Sequence, residues 1–197
     1  MRQRLFTLFA VLAALYLGGC ADPEVMSEIL QQKQNEKIYT RYNLWYLNPE
    51  KISCLNIQQG TFLPLGSEIE PLGTSYSMIS GNSTITFRDM SGKKYSIEFD
   101  PGYRLCTLRD YLSDTFTTTP PGEMLKDIPS ATLERIKAGQ VVAGMTRRDV
   151  LLAYGPPPAA RTPNLRNETW LYYLTVSDVA RVIFRGDTVR NVLNINE

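Results

Sequence analysis

Residues 144–157 read GMTRRDVLLAYGPP, and this stretch predicts a complete helix with both of its end signals. The Thr146 hydroxyl can accept the backbone N–H of Asp149, whose carboxylate can reach back to the backbone of Thr146, as in a capping box. Val150, Leu151 and Tyr154 recur at helical spacing and form an apolar face. Gly155 suits the left-handed position after a helix, and the proline after it forbids continuation. We therefore expect one short helix that starts after Thr146 and ends at Gly155.

The sequence on either side of this helix completes a small domain. Upstream, Ser130 follows a proline and can cap a helix that runs to about Lys137. Downstream, a proline-containing loop leads into three alternating segments, which predict strands at Thr169–Thr175, Val179–Phe184 and Val189–Asn194. Two helices followed by three strands predict a two-layer αα-βββ arrangement, with the helices on one face of an antiparallel sheet.

This C-terminal part resembles the BamE-like (SmpA/OmlA) domain of bacterial lipoproteins. The resemblance covers about residues 130–195 and rests on Ile136, Gly139, Gly144, Met145, Thr146, Val150, Gly155, Pro157, Glu168, Thr169, Trp170, Tyr172 and Phe184. It implies a larger lipoprotein that contains such a domain. The αα-βββ layout also resembles the domains of β-lactamase inhibitor protein, and that resemblance implies a domain that binds proteins and catalyses nothing.

The preceding part of the chain is rich in short alternating segments. Thr84–Arg88 and Lys93–Phe99 flank a glycine-containing turn and predict a β-hairpin. Further strands are expected at Tyr39–Tyr46, Ile52–Ile57, Ser67–Leu72 and Ser75–Ile79, and a capping box at Thr107–Asp110 predicts a short helix. The fold class is therefore α+β, a small β-rich domain followed by the αα-βββ BamE-like domain.

The first twenty residues predict export. Arg2 and Arg4 precede an apolar run, Leu5–Leu17, which is shorter than the roughly 20 residues of a membrane-spanning helix. The run ends in Leu17-Gly18-Gly19-Cys20, which resembles the lipobox of bacterial lipoproteins. The resemblance implies cleavage before Cys20 and acylation of that cysteine, which then anchors the protein to a membrane through more than one acyl chain. Because alanine rather than aspartate follows Cys20, the outer membrane is favoured over the inner one, with the protein on its periplasmic face.

Composition changes along the chain and indicates its division. We expect a signal peptide at 1–19, a polar tether at 20–37, the β-rich domain at 38–116, a linker at 117–127 and the BamE-like domain at 128–197. The linker contains Thr-Thr-Thr-Pro-Pro-Gly, which can continue neither a helix nor a sheet. Residues 20–127 carry a net charge of −4 and residues 128–197 a net charge of +3, as expected of two parts with different contacts.

The residue inventory excludes many functions. The 197 residues include no histidine, which removes His-based nucleophilic, acid–base and metal chemistry. A net charge of +1 lacks the basic excess of a nucleic-acid binder. A Gly-rich phosphate loop is also absent. We therefore predict no catalytic residues, no metal and no cofactor.

Two cysteines remain after Cys20. An exported protein folds in an oxidising compartment, so Cys54 and Cys106 are predicted to form a disulfide. With 51 intervening residues, such a bridge would contribute ~4 kcal/mol in the chain-entropy model. The alternative is a pair of buried, reduced thiols.

The remaining candidates are partner contacts. Trp170 and Tyr172 share one face of a strand and can serve either the core or a recognition surface. Arg147, Arg148, Arg161 and Arg166 are candidates for contacts with lipid phosphates or an acidic partner, or else a solvated basic face.

Together these features predict a non-enzymatic, lipid-anchored envelope protein. It would bind outer-membrane or periplasmic proteins and support the assembly or stability of an outer-membrane complex, with no nucleic-acid partner and no small-molecule ligand expected. The alternative is a periplasmic inhibitor or ligand-binding lipoprotein. A hydrolase would need a carboxylate pair in a cleft. A flat aromatic or basic patch would favour the first reading, and a large concave apolar pocket in the β-rich domain the second.

Overall fold

The computed structural model describes residue 22, residues 24–175 and residues 177–196 of the chain. Over these residues the protein is a mixed α+β fold with a curled sheet and short helices. Two hydrophobic cores define an N-terminal unit, residues 24–117, and a C-terminal unit, residues 130–196.

The N-terminal unit is a six-stranded sheet covered by two helices. Its strand order is β3-β7-β6-β5-β1-β8, and β2 pairs with β4 in a separate ribbon. Helices α1 and α3 pack against each other, and their buried side chains belong to the same core as the inner face of this sheet. The elements in chain order are α1 Glu24–Ile29, β1 Ile38–Thr40, β2 Leu44–Tyr46, β3 Ile52–Ser53, β4 Thr61–Leu63, β5 Glu68–Tyr76, β6 Ser83–Asp89, β7 Lys94–Phe99, α2 Pro101–Arg104, α3 Leu108–Thr115 and β8 Phe116–Thr117.

Local signals were read correctly in this unit. The β6–β7 hairpin forms as predicted, with Ile85 paired to Ile97 and Phe87 to Tyr95, and all four side chains are buried. The Thr107–Asp110 capping box is present at the start of α3. Period-2 alternation decides the hairpin because every second side chain must enter the same core.

Longer strand predictions were wrong where a buried polar side chain redirects the chain. The segment Tyr39–Tyr46 is not one strand: it divides into β1 and β2, which belong to different sheets, with Asn43 buried between them. The strand predicted at Ile52–Ile57 ends at Ser53 because Asn56 has a positive φ of 50°. Conversely, Ser67–Leu72 and Ser75–Ile79 merge into β5, whose register shifts between Pro71 and Gly73.

The C-terminal unit contains two helices and a three-stranded antiparallel sheet of order β11-β10-β9. Its helices and strands are α5 Ser130–Lys137, α6 Arg147–Tyr154, β9 Thr169–Tyr173, β10 Asp178–Arg185 and β11 Thr188–Asn196. The α6 capping box is formed by Thr146 and Asp149. Ser130 is not the cap of α5, because Pro129 occupies that position and no side chain caps the helix.

The segments expected to be a tether and a linker are packed where the structure describes them. Met26 of α1 is buried in the N-terminal core, so the tether is part of that unit from Glu24 onwards. Thr117 pairs with β1, and α4 (Pro121–Met124) follows; Met124, Leu125 and Ile128 pack on the C-terminal core.

Two buried asparagines join the units. The Asn43 amide donates to the carbonyls of Ile136 and Ala153, at 2.8 and 3.2 Å, and its oxygen accepts the N–H of Leu65 at 2.9 Å. The Asn56 amide donates to the carbonyl of Tyr154 at 2.8 Å. Leu65 itself belongs to the C-terminal core. These bonds fix the orientation of one unit on the other, because a buried amide without partners costs free energy.

Candidate functional site

The residues that carry the BamE-like resemblance are structural in this fold. Gly144 has a φ of 93° and donates its N–H to the Val189 carbonyl at 2.9 Å, which ties the start of α6 to β11. Met145 and Val150 are buried in the C-terminal core, and Thr146 caps α6. These residues therefore shape and pack the start of α6, and the side chains of Met145 and Val150 are enclosed by the core.

Gly155 supports the junction between the units. Its φ is 74°, and a Cβ atom at this position would lie 2.7 Å from the ring of Tyr42 in the N-terminal unit. The glycine therefore ends α6 and also admits an aromatic ring from the other unit. Sequence reasoning assigned only the first of these two roles.

Trp170 and Tyr172 serve the core rather than a recognition surface. Both are fully buried. The Trp170 indole donates to the Leu165 carbonyl at 3.2 Å, and the Tyr172 hydroxyl donates to the Gly155 carbonyl at 3.0 Å. Burial raises the pKa of Tyr172 well above its usual value.

The four candidate arginines do not form one site. Arg147 donates to the carbonyls of Leu165, Asn167 and Gly186 and lies over the Phe184 ring at 4.2 Å. Arg148 donates to the carbonyls of Met124 and Lys126. Both side chains hold loops in place through these bonds, and the exposed Arg148 also lines the junction cavity described below.

Arg161 and Arg166 belong to the loop before β9, and Arg166 stands between the two residues of that loop whose carbonyls accept from Arg147. Arg161 stacks on Tyr173 and donates to its hydroxyl at 3.0 Å, and Arg166 is exposed in the loop before β9. Of the four, Arg161 therefore belongs to a surface that includes a large aromatic side chain.

The predicted disulfide is not formed in the structure, since Cys54 and Cys106 are free thiols. The Cys54 sulfur accepts the Asp100 N–H at 3.5 Å, and Arg104 lies near both thiols. Burial raises the pKa of each thiol, and the nearby guanidinium only partly opposes this. Both thiols are therefore protonated at neutral pH and are poor nucleophiles. Cys20 lies outside the described residues.

Arg104 is a second junction residue. It is 5% exposed, donates to the Pro156 carbonyl at 3.3 Å and lies over the Tyr111 ring at 5.5 Å. Its Nε has no hydrogen-bond partner among the described residues. The guanidinium thus contacts a carbonyl of the C-terminal unit and an aromatic ring of the N-terminal unit, and such contacts are typical of an arginine at a packed interface.

A cavity of about 340 Å³ lies at the junction. Arg41 and Tyr42 line it from the N-terminal unit, and Leu152 and Pro156 from the C-terminal unit. Its volume is at the lower end of the range for small-molecule sites. The Arg41 Nε donates to the Phe116 carbonyl at 2.9 Å, so part of this rim is already engaged.

The open side of the C-terminal sheet is a more distinctive surface. Along β9 the side chains alternate, so that Trp170 and Tyr172 enter the core while Leu171 and Tyr173 face outwards. We call the outward-facing set the outer face; it comprises Leu171, Tyr173, Arg181, Ile183 and Leu193. The four apolar or aromatic members belong to neither hydrophobic core; Leu193 is 41% exposed, and Leu171, Tyr173 and Ile183 are half-buried. Val179, which is paired with Tyr173 on the same side of the sheet, is fully buried, so the exposed part of the outer face lies around Arg181 and Leu193.

The outer face is positively charged as well as apolar. Arg181 is exposed at its centre, opposite Leu171 on one side and Leu193 on the other. Arg161 extends the face beside Tyr173, and Arg185 is exposed at the end of β10. Tyrosine and arginine are enriched at protein interfaces, where they contribute much of the binding energy. The alternation along β9 could have identified this face from sequence, because residues adjacent to Trp170 and Tyr172 in a strand must point to the opposite side of the sheet.

Within the described residues, no helix has the length and apolar character needed to cross a membrane. No protein-family model, no curated protein and no solved structure matches the chain.

Proposed function

We propose that this protein is a lipid-anchored adaptor that binds an acidic surface of an envelope protein through the outer face of its C-terminal sheet. It has no chemistry of its own and supports the assembly or stability of an outer-membrane complex. The lipobox-like sequence at Cys20 and the BamE-like resemblance of residues 130–195 motivate the location and the class of function.

The outer face is the single observation that supports this proposal best. A flat patch of aromatic and basic side chains favours protein binding, whereas a concave apolar pocket would favour ligand binding. The outer face is such a flat patch and combines Tyr173 with Arg181 on an antiparallel sheet. An antiparallel sheet with one packed face usually carries polar side chains on the other. The large apolar side chains here instead favour a partner that covers them.

Charge indicates the chemistry of that partner. Arg161, Arg181 and Arg185 lie on or beside the outer face, and the C-terminal part of the chain carries a net charge of +3. A complementary acidic patch would be attracted at long range and would fix the orientation of the complex. We therefore expect complex formation to weaken as ionic strength rises.

The test is crosslinking of the anchored protein in its native envelope. A photoreactive residue is placed at Leu193, on the outer face, and in a separate variant at Lys94, an exposed strand position of the N-terminal sheet. We expect a discrete crosslinked protein from position 193 and none from position 94. If position 193 captures no stoichiometric protein, the adaptor proposal is overturned.

A charge reversal provides a matched comparison. Arg181→Glu and Lys94→Glu each change an exposed strand cation to an anion. We expect Arg181→Glu to abolish recovery of the partner at unchanged thermal stability, and Lys94→Glu to leave recovery intact. Equal recovery with both variants would argue against the outer face as the binding surface.

The junction cavity supports a second candidate, a ligand-binding lipoprotein. A ligand in this cavity would pair an acidic group with Arg41 or Arg148 and place apolar atoms against Leu152. Native mass spectrometry of protein purified from the envelope would reveal such a ligand as an added mass. Loss of that mass in Leu152→Trp, which fills the cavity, would support this function over the adaptor.

A further inference from the structure

The connection between β5 and β6 presents apolar side chains to solvent. Met78 is 90% exposed, Ile79 is fully exposed, and the preceding Tyr76 is largely exposed. The connection is nevertheless ordered, because Ser77 donates its N–H to the Asn82 carbonyl and Gly81 donates to the Ser77 carbonyl, both at 2.9 Å. We call residues 76–82 the hairpin tip. Adjacent large hydrophobic residues held outwards by a tight turn indicate an interaction site rather than a folding requirement.

The hairpin tip is uncharged over a long stretch of chain. No Asp, Glu, Lys or Arg occurs in residues 71–87, and the polar members of the tip are serine and asparagine. Entry of such a segment into an interface of low polarity carries no charge desolvation penalty. This composition suits the boundary between lipid headgroups and acyl chains.

A second exposed apolar pair lies at the same end of the sheet. Ser83 pairs with both Tyr76 and Phe99, so the start of β6 and the end of β7 are adjacent to the hairpin tip. Helix α2 follows β7 directly, and its neighbourhood exposes Tyr103 and Leu105. Several of the large exposed hydrophobic side chains of the described residues are therefore found at one end of the N-terminal unit.

Asp22, which follows Cys20 closely in the sequence, pairs with the strand that leads to the hairpin tip. Asp22 and Thr74 exchange backbone hydrogen bonds of 3.2 and 3.1 Å in an antiparallel bridge. At Asp22 the chain is antiparallel to β5, and β5 continues from Thr74 to the hairpin tip. Cys20 is two positions before Asp22, so the two residues are at most about 7 Å apart. A lipid attached at Cys20 would thus bring the bilayer close to the tip.

We infer that the hairpin tip is a second membrane contact, with Met78 and Ile79 inserted into the interfacial region of the bilayer beside the acylated N-terminus. This inference rests on the lipid anchor of the proposed function. The anchor alone is a flexible attachment at one point, whereas the tip adds a second point and thereby fixes the orientation of the N-terminal sheet on the membrane. The C-terminal outer face is then presented in a defined direction.

The experiment uses tryptophan as a depth probe in the full, acylated protein. Ile79→Trp places an indole at the tip, and Met90→Trp places one in the β6–β7 turn at the opposite end of β6, where Met90 is 68% exposed. Each protein is reconstituted into vesicles of phosphatidylethanolamine and phosphatidylglycerol, with and without bromine on the acyl chains. The wild-type signal from Trp45 and Trp170 is subtracted.

We expect the Ile79→Trp emission to shift to shorter wavelength and to be quenched at least twofold by the brominated lipids, and the Met90→Trp emission to do neither. Met78→Trp should behave as Ile79→Trp and provides a second variant if one of them unfolds. Protein that floats with the vesicles but shows no quenching at either tip position would overturn this inference and leave the anchor standing. Protein that fails to float would overturn the anchor and this inference with it. Binding of the partner protein is tested separately: Arg181→Glu should lose the crosslinked partner and still show the same quenching at the hairpin tip.

Discussion

The two sheets of this protein each leave one side towards solvent, and they treat that side differently. The outward side of the N-terminal sheet carries small hydroxyl side chains and paired charges: the hydroxyls of the half-buried Thr86 and the buried Ser96 are 3.3 Å apart, and the exposed Arg88 binds Glu70 through two hydrogen bonds of 2.7 and 2.8 Å. The C-terminal sheet carries the exposed Leu193 and the half-buried Tyr173 on either side of an exposed arginine, Arg181. The first surface satisfies its own polar groups, whereas the second leaves apolar area and positive charge for another molecule.

This difference indicates that the two units have different roles in association with other molecules. Apart from the hairpin tip at its end, the N-terminal sheet has a surface that resists association, as charged and hydroxylated strands generally do. The C-terminal outer face has the composition of a binding surface. The buried asparagines between the units keep these two surfaces in a constant relation.

The largest effect on stability is expected from Asn43→Leu, which removes the buried amide that joins the two units. This change leaves the buried carbonyls of Ile136 and Ala153 and the N–H of Leu65 without their partner. We expect the free energy of unfolding to fall by about 2–4 kcal/mol, as measured by urea denaturation. Asn48→Leu, at an exposed position, is the control and should cost well under half as much. Equal losses in the two variants would show that the asparagine does not join the units.

A smaller loss is expected for Gly155→Ala. The new methyl group would meet the Tyr42 ring at 2.7 Å, and φ is 74°, so strain and overpacking together should cost about 2–3 kcal/mol. Gly186→Ala has a similar φ of 62° but open space around the Cβ position, so it should cost only about 1 kcal/mol. Thermal unfolding of both variants separates the contribution of the junction from that of the backbone, and identical shifts would exclude a close contact with Tyr42.

Tyr173→Ser tests the outer face without touching the core. We expect recovery of the crosslinked partner to fall about tenfold, equivalent to ~1.4 kcal/mol of binding free energy, while the stability of the protein changes little. Thr86→Ser, on the outward side of the N-terminal sheet, should leave recovery unchanged. A partner that is lost with Thr86→Ser but retained with Tyr173→Ser would reverse the comparison between the two sheets.

The smallest effect concerns the stability of the protein in acid and depends on Asp89, the last residue of β6. Burial raises the pKa of Asp89, but hydrogen bonds from Ser91, Tyr95 and Lys93 outweigh this and hold the pKa below its usual value of 3.8. A depressed carboxyl pKa contributes stability above the unfolded value, and this contribution disappears as pH falls through the folded value. Asp89→Asn should therefore flatten the loss of stability below about pH 4, as seen in urea denaturation at a series of pH values. An unchanged acid profile would contradict the assignment.

Prediction from sequence succeeded where the deciding interactions are local. The Thr146–Asp149 cap, the glycine and proline after Tyr154, and the alternation in β6 and β7 each act within a few residues. These signals were sufficient for the order of helices and strands in the C-terminal unit. The alternation also identifies the outer face, once it is known that Trp170 and Tyr172 are the buried residues of β9.

Prediction failed where a single side chain is satisfied from far along the chain. Asn43 divides a predicted strand because its acceptors are the carbonyls of residues 136 and 153. Arg147 was a candidate partner contact, but its acceptors are carbonyls 18 to 39 residues away. Neither arrangement leaves a periodic or compositional trace, because the acceptors are backbone groups that every residue has.

The position of Leu65 in the C-terminal core has a consequence for the order of folding. During synthesis the N-terminal unit emerges first, yet Leu65 and Asn43 acquire their neighbours only when residues 136 to 153 have followed. The N-terminal core can close from its own residues, but a ribosome must complete most of the polypeptide before the C-terminal core can enclose Leu65 and the Asn43 amide can reach its acceptors. Such sequence-distant contacts slow the final step of folding and prolong the time in which a chaperone can hold the chain open.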